Sequence, residues 1–144
     1  MPSYRYLENI ATADIAFEAR GDTLEDLMVA AADATMNVMV DDLDSIIDRV
    51  RRPIAVQAAE PDMLLYALLE ELVYRKDAER LLLRVPHVTI DERDGAYALN
   101  AEAYGEMLDP ARHDLLVDVK AVTLHRFLVE RTDFGWRAVV VLDI

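Results

Sequence analysis

The residues of this sequence best suited to chemistry are carboxylates near its two ends. Asp14 opens a segment in which polar and apolar residues alternate, and Asp143 follows the apolar run 138–142, one residue before Ile144. The side chain of Asp143 and the terminal carboxylate of Ile144 are therefore close to each other. Oxygen ligands of this kind suit a hard cation such as Ca²⁺, Mg²⁺ or Mn²⁺. We expect a divalent-metal site that joins the chain ends, with ordinary strand-end carboxylates as the alternative.

An acidic loop and two basic residues extend this set. The loop Asp41-Asp42-Leu43-Asp44 offers a third carboxylate for the metal. Lys120 lies in a mostly apolar predicted strand, where a lysine pairs with a carboxylate across the sheet or contacts a phosphate or a partner. His125 is five residues further on. Strict alternation places it on the opposite face of the strand from Lys120, so we do not expect the two to act together.

The motifs of the common enzyme classes are absent from the sequence. It has no glycine-rich nucleotide-binding motif, no GxSxG and no HExxH. The serines and histidines show no recognisable Ser/His/Asp spacing, and the sequence has no cysteine, which excludes disulfides, thiolate metal sites and thiol nucleophiles. We therefore do not expect nucleophilic catalysis by this protein.

The charge balance points to the kind of partner. Lys plus Arg number 15 and Asp plus Glu number 28, a net charge of −13. Such a surface repels phosphate backbones and anionic membranes, which disfavours tight nucleic-acid binding and favours a cation or a basic protein. Solubility alone is the alternative reason for this charge. With no signal peptide and no apolar run of about 20 residues, we expect a cytoplasmic location.

The hydrophobic pattern predicts one α+β domain over residues 1–144. Alternation predicts a strand over 14–20, and Thr23 opens a helix with capping-box spacing that fades near Met39. Pro61 opens a second helix that runs to about Lys76. The remaining predicted elements are strands over 54–58, 81–90 with an interruption at Pro86, 96–104, 117–130 and 136–142, with a short helical turn over 109–113.

Together these elements predict a mixed or antiparallel sheet of about six strands, covered on one face by two helices. The pair Asp94-Gly95 predicts a hairpin turn before the strand over 96–104. No alternating series of strands and helices follows, which argues against a Rossmann fold.

Several different short motifs follow one another along the chain in a particular order. The last third carries most of them: Gly105-Glu106, Leu108-Asp109-Pro110, Arg112-His113, residues 119–125, Gly135-Trp136 and residues 140–144. The first half adds Thr12-Ala13-Asp14-Ile15, residues 23–27 and Met39-Val40-Asp41. Each motif is weak alone, but the order and spacing are specific. With them the sequence resembles the archease family over nearly its full length.

The resemblance implies an α+β fold and an accessory role toward RtcB-type RNA ligases. Those ligases seal RNA ends carrying a 2′,3′-cyclic or 3′-phosphate to a 5′-hydroxyl, using GTP and Mn²⁺ through a guanylylated histidine. The implied role is to promote guanylylation and multiple turnover of such a ligase in tRNA splicing or RNA repair.

The resemblance also implies a set of site residues. Carried over by position, the metal-binding residues are Asp14, Asp41, Asp143 and the terminal Ile144, and the residues for partner function are Lys120 and His125. The family usually has a histidine directly before Thr-Ala-Asp, where this sequence has Ala11, and this departure predicts weaker metal binding. The run of aspartates leaves open whether Asp41, Asp42 or Asp44 is the loop ligand.

Two other functions compete with this one. A chaperone or a modulator of an RNA-modifying enzyme, such as a tRNA methyltransferase, would act without the carboxylate site. A metal-dependent phosphoesterase would use the clustered carboxylates directly, but the sequence offers no convincing base or nucleophile for it.

Overall fold

A computed structural model describes residues 2–7 and 14–144 of the chain. It confirms an α+β fold with two α-helices, and it places eight strands in two antiparallel sheets. The helices are α1 (Leu24–Met39) and α2 (Pro61–Glu79), and a 3₁₀ turn covers Leu43–Ser45. The strands are β1 (Ser3–Leu7), β2 (Asp14–Gly21), β3 (Val50–Ala58), β4 (Leu81–Arg84), β5 (Thr89–Arg93), β6 (Ala96–Met107), β7 (Ala121–Thr132) and β8 (Gly135–Asp143).

The first sheet has the strand order β1-β2-β8-β7, and the second is built around β6. In the second sheet β3 pairs with β6 along one side, while β4 and β5 pair with successive parts of β6. The prediction of a single sheet is therefore wrong, and the predicted count of about six strands is two too low. It omitted β1, and it treated residues 81–90 as one interrupted strand where the chain around Pro86 separates β4 from β5.

Both helices begin where the sequence predicts. The Thr23 side chain accepts a hydrogen bond from the Asp26 amide at 3.0 Å, so the predicted N-cap of α1 is confirmed. Pro61 occupies the first turn of α2. That helix continues three residues past Lys76 to Glu79, and it ends where Arg80 adopts a left-handed backbone conformation with φ 57°.

The core lies where the two helices pack against each other and against strands of both sheets. Helix α1 contacts β1, β2 and β8, and helix α2 contacts β3, β4 and β7. The predicted apolar face of α2 is buried at every leucine: Leu64, Leu65, Leu68, Leu69 and Leu72. Neither described helix combines the length and hydropathy needed to cross a membrane.

The segment between β6 and β7 matches the prediction at its start and differs from it further on. The short helical turn predicted over residues 109–113 is confirmed, because the His113 amide donates a 2.8 Å hydrogen bond to the Asp109 carbonyl four residues earlier. Strand β7 begins at Ala121, so Lys120 precedes the strand in which it was predicted to lie. A bulge follows between Thr123 and Leu128. The alternation that placed His125 opposite Lys120 does not hold, because neither residue lies in regularly paired strand.

Candidate functional site

Asp14 and Asp143 lie directly opposite each other in the first sheet. Asp14 is the first residue of β2 and Asp143 the last of β8, and the two are partners in the antiparallel register. Ala121, the first residue of β7, pairs with Asp143 on its other side. Directly opposed residues of antiparallel strands present their side chains on the same face, so the two half-buried carboxylates share one face of the sheet.

No cation of the described chain neutralises this pair. Within residues 2–7 and 14–144, neither carboxylate side chain makes a hydrogen bond or an ion pair. Like charges that face each other directly across strands destabilise a sheet. Two oxygen donors of this kind fit a hard divalent cation, although no three His, Asp or Glu side chains of the described residues form a group that could hold a metal.

The main chain of Lys120 lies beside the pair. Its amide donates a 2.8 Å hydrogen bond to the carbonyl oxygen of Asp143, and its side chain is exposed. The structure therefore brings together Asp14, Asp143 and Lys120, which we call the carboxylate end of the first sheet. Ile144 follows Asp143 directly, and its side chain packs against the hydrophobic core.

The acidic loop is held close to the same end by the segment before β7. Val40 forms an isolated antiparallel bridge with Leu115, and the Asp41 amide donates to the Asp114 carbonyl at 2.9 Å. The Asn37 side-chain amide donates to the carbonyl oxygen of Asp41 at 3.0 Å. Asn37 also lines a pocket of about 360 Å³ together with Asp14.

The three aspartates of the loop differ in their contacts. The carboxylate of Asp42 accepts a 3.0 Å hydrogen bond from the Asp44 amide and caps the 3₁₀ turn. The carboxylate of Asp44 pairs with Arg84 at 3.4 Å. In the described part of the chain, the exposed side chain of Asp41 makes neither a hydrogen bond nor an ion pair. Of the three alternatives, the contacts favour Asp41 as the loop carboxylate available to a ligand.

A lysine that was not predicted as a site residue fixes the segment before β7. Lys76 of α2 is buried, and its Nζ donates to Asp118 Oδ1 at 2.5 Å and to the Val119 carbonyl at 2.8 Å. Burial lowers the pKa of Lys76, but hydrogen bonds to Asp118 and Asp77 outweigh this effect and leave the pKa raised. A signal was present in the sequence, because Lys76 lies on the apolar face of α2.

His125 is exposed within the β7 bulge. Among the residues that the structure describes, its side chain makes no hydrogen bond or ion pair with Asp14 or Asp143. The motif residues Thr12 and Ala13, and Ala11 before them, lie outside the described residues.

The motif residues Glu106 and His113 form a buried network elsewhere in the molecule. Glu106 Oε2 accepts a 2.8 Å hydrogen bond from the Ile47 amide and lies 3.0 Å from His113 Nε2. Arg49 and Arg112 also pair with this carboxylate. Burial raises the pKa of Glu106, but the hydrogen bonds from these partners outweigh burial and lower the pKa to about 2. The network joins the 109–113 turn to the loop before β3, which is a structural role.

Comparisons with known proteins assign nearly the whole chain to one family. Residues 4–144 match the model of the family described as "Archease protein family (MTH1598/TM1083)". The chain is 41% identical to the protein archease of Pyrococcus furiosus, with 92% of this chain and 94% of the relative covered. It is 36% identical to the protein archease of Methanosarcina mazei, and the match covers 100% of both chains.

Two solved structures share the fold. The solution structure of protein 1598 of Methanobacterium thermoautotrophicum superposes with a TM-score of 0.84 at 32% identity, covering 98% of each chain. A crystal structure from Thermotoga maritima, described as an archease and possible chaperone, superposes with a TM-score of 0.62 at 16% identity, covering 96% of this chain and 97% of that one. At that identity the second likeness concerns the fold alone.

Proposed function

Because the chain belongs to the archease family, we propose that it is an accessory protein of an RtcB-type RNA ligase. In this role it promotes guanylylation and multiple turnover of the ligase in cytoplasmic tRNA splicing or RNA repair, without turnover of its own. The observation that carries the proposal is the facing pair Asp14 and Asp143, which no cation of the described chain neutralises.

A divalent metal fits the donor chemistry of this pair. Asp14 and Asp143 would hold it, with Asp41 and the carboxylate of Ile144 as further ligands. A bound Ca²⁺, Mg²⁺ or Mn²⁺ would supply the positive charge that the facing carboxylates lack. The protein's own contribution is to align β2, β8 and the Lys120 main chain, so that the exposed Lys120 side chain stands beside the site.

The net charge of −13 supports a basic, RNA-binding protein as the partner. Complementary charge accelerates the encounter of two proteins and discriminates against wrong partners. Lys120 adds a cation beside the acidic site, and we assign it, with His125, to contact with the ligase.

The decisive experiment is multiple-turnover RNA ligation by the cognate ligase with and without this protein. We expect stimulation, and we expect Asp14→Ala, Asp143→Ala and Lys120→Ala each to reduce it while the proteins remain folded. Asp133→Ala, which removes an exposed carboxylate at the tip of the β7–β8 hairpin, is the matched control. If the unaltered protein leaves ligation unchanged, the proposal is wrong.

The role assigned to Ile144 has a separate test. Residues added after Ile144 should reduce metal binding and ligase stimulation about as much as Asp143→Ala does, whereas an N-terminal tag should be better tolerated. A harmless C-terminal extension would remove the carboxylate of Ile144 from the ligand set.

A chaperone-like action, or modulation of an RNA-modifying enzyme such as a tRNA methyltransferase, is the second candidate. The observation that favours it is an exposed apolar group beside the 360 Å³ pocket: Tyr6, Leu116 and Val117. This function predicts suppression of aggregation that does not depend on Asp143. A phosphoesterase would instead turn over cyclic-phosphate RNA with Mn²⁺ in the absence of any ligase.

A further inference from the structure

Three arginines converge on a single buried carboxylate at the middle of the first sheet. Glu18 is 4% exposed. Its oxygens accept hydrogen bonds from the Nε atoms of Arg5 at 3.3 Å, Arg20 at 3.0 Å and Arg137 at 2.9 Å. These arginines come from β1, β2 and β8 and lie on the face that also carries Asp14 and Asp143, as the register requires. Glu18 therefore holds three guanidinium groups in fixed positions.

The geometry leaves donor groups of two of these arginines available. Arg20 reaches Glu18 through Nε, and its two terminal nitrogens make no hydrogen bond to another described residue. Arg5 reaches Glu18 through Nε and, at 3.5 Å, through one terminal nitrogen, which leaves the other. Both arginines line a depression of about 270 Å³ that also includes Ser3, the cross-strand partner of Arg20.

A second depression continues from the first toward an exposed aromatic ring. It has a volume of about 210 Å³, shares Ser3 and Arg20 with the first, and is also lined by Phe134 and Trp136. The Phe134 side chain is 90% exposed at the tip of the β7–β8 hairpin. A Cβ added to Gly135 would lie 2.4 Å from the carbonyl oxygen of Gly21, so the hairpin tip rests directly on the end of β2 next to Arg20.

We infer that this region, the arginine end of the first sheet, binds a mononucleotide. Arg5, Arg20 and the Ser3 hydroxyl hold its phosphate, and Phe134 stacks on its base. A guanidinium group can donate two parallel hydrogen bonds to the oxygens of one phosphate. An exposed aromatic ring can stack on any of the bases.

The surrounding charges limit the ligand to one nucleotide. Asp133 adjoins Phe134 at the hairpin tip, and its side chain is exposed. This carboxylate and the net charge of −13 oppose the many phosphates of a longer strand. The site is separate from the carboxylate end, because Arg20 lies six residues after Asp14 along β2, a distance of about 20 Å in an extended strand.

The test is a titration of the ¹⁵N-labelled full chain, followed by NMR, with adenosine 5′-monophosphate, inorganic phosphate and adenosine as separate probes. We expect saturable shifts of the Arg5, Arg20 and Phe134 amides with the nucleotide, and affinities at least about fivefold weaker for adenosine and for phosphate alone. Inorganic phosphate binding as tightly as the nucleotide would overturn the proposal, as would the absence of saturable shifts at these amides.

Two variants and a matched control test the assigned contacts. Arg5→Gln should weaken nucleotide binding about tenfold, since it removes a charge-assisted hydrogen bond, and Phe134→Leu should weaken it about fivefold or more. Arg51→Gln removes another exposed arginine, from β3, where it pairs with Asp48 and Glu102. It should change the affinity by less than about twofold. Equal losses for Arg5→Gln and Arg51→Gln would show a nonspecific charge effect and overturn the proposal.

Discussion

Strand β2 carries two carboxylates on one face, and the described chain neutralises only one of them. Glu18 is buried beneath three guanidinium groups that neighbouring strands and its own strand supply. Asp14, four residues earlier, faces a second carboxylate in register, and neither has a cationic partner in the described part of the chain. Both residues lie on the same face of the sheet, so the difference comes from their neighbours: three arginines surround Glu18, whereas Asp14 faces the carboxylate of Asp143.

This contrast separates a structural carboxylate from one that is available to a ligand. Burying a charged group is favourable only when partners replace its hydration, and Glu18 meets that condition within the chain. The Asp14–Asp143 pair is only half-buried and has no cationic partner within the described chain, so its oxygens remain open to solvent or to a ligand. The comparison therefore predicts opposite effects on stability when each carboxylate is made neutral.

The largest effect is expected at Glu18. Glu18→Gln keeps the shape of the side chain but leaves Arg5, Arg20 and Arg137 without their shared anion. Breaking a buried ion pair by removing one partner is strongly destabilising, and since two of the arginines are largely exposed, we expect a loss of about 2 to 3 kcal/mol in the free energy of unfolding. Urea denaturation followed by circular dichroism measures it.

Glu102→Gln is the matched control for this substitution. Glu102 pairs with Arg51 in an ion pair whose side chains are both 64% exposed. Exposed pairs of this kind contribute little, so we expect a change below about 0.5 kcal/mol. Equal losses for the two variants would break the distinction between the buried and the exposed carboxylate.

Acid should unfold the protein through its buried carboxylates. Burial raises the pKa of Glu18, but the hydrogen bonds from Arg5, Arg137 and Arg20 outweigh it and lower the pKa from 4.5 to about 2. Glu106 is likewise lowered to about 2. A carboxyl whose pKa is lower in the folded state stabilises the fold fully above its unfolded pKa, and this contribution is lost as the pH falls from about 4.5 toward 2.

Unfolding free energies measured in steps from pH 6 to pH 2.5 test this dependence. Glu18→Gln should flatten the decline below about pH 4.5, because one of the two linked groups is then absent. A slope that is unchanged in the variant would mean that other groups control acid unfolding.

Much of this arrangement could be predicted from local sequence, and the exceptions have physical causes. The cap at Thr23, the start of α2 at Pro61 and the strand from Asp14 depend on patterns within a few residues, and all three are confirmed. Strand β1 was missed because it is only five residues long, Ser3–Leu7, and its burial depends on contacts with β2 and α1.

The candidate site shows the same limit. The sequence singled out Asp14, Asp143 and Lys120, because each stands out against its apolar neighbours. It did not predict that Glu18 would be enclosed by arginines or that Lys76 would hold the segment before β7. Both contacts join residues far apart in the chain, 119 positions for Glu18 and Arg137 and 42 for Lys76 and Asp118. Local periodicity carries no information about such partners.

Lys76 connects the carboxylate end to the helical core, and its removal should have an intermediate effect. Lys76→Met removes the hydrogen bonds to Asp118 and to the buried Val119 carbonyl. We expect a loss of about 1 to 2 kcal/mol and faster hydrogen exchange of the Lys120 amide, whose acceptor is the Asp143 carbonyl. Hydrogen-exchange NMR measures the rate at that amide.

The control is Arg75→Met on the neighbouring position of α2. Arg75 pairs with Glu71 and Glu79 within the helix, so its loss should leave exchange at Lys120 unchanged. If both variants accelerate exchange at Lys120 equally, α2 is loosened as a whole and Lys76 has no specific role in positioning the segment.

The smallest effect on stability, and one of opposite sign, is expected at Asp143. Asp143→Asn removes one of two like charges that face each other across β2 and β8, so the metal-free protein should gain about 0.5 kcal/mol in unfolding free energy. The same change removes a proposed metal ligand, so Ca²⁺ or Mn²⁺ should raise the melting temperature of the unaltered protein but not of the variant. Asp133→Asn, at the exposed hairpin tip, should alter neither quantity. A variant that is destabilised without metal would mean that Asp143 is paired within the chain, as Glu18 is, and the contrast between the two settings would fail.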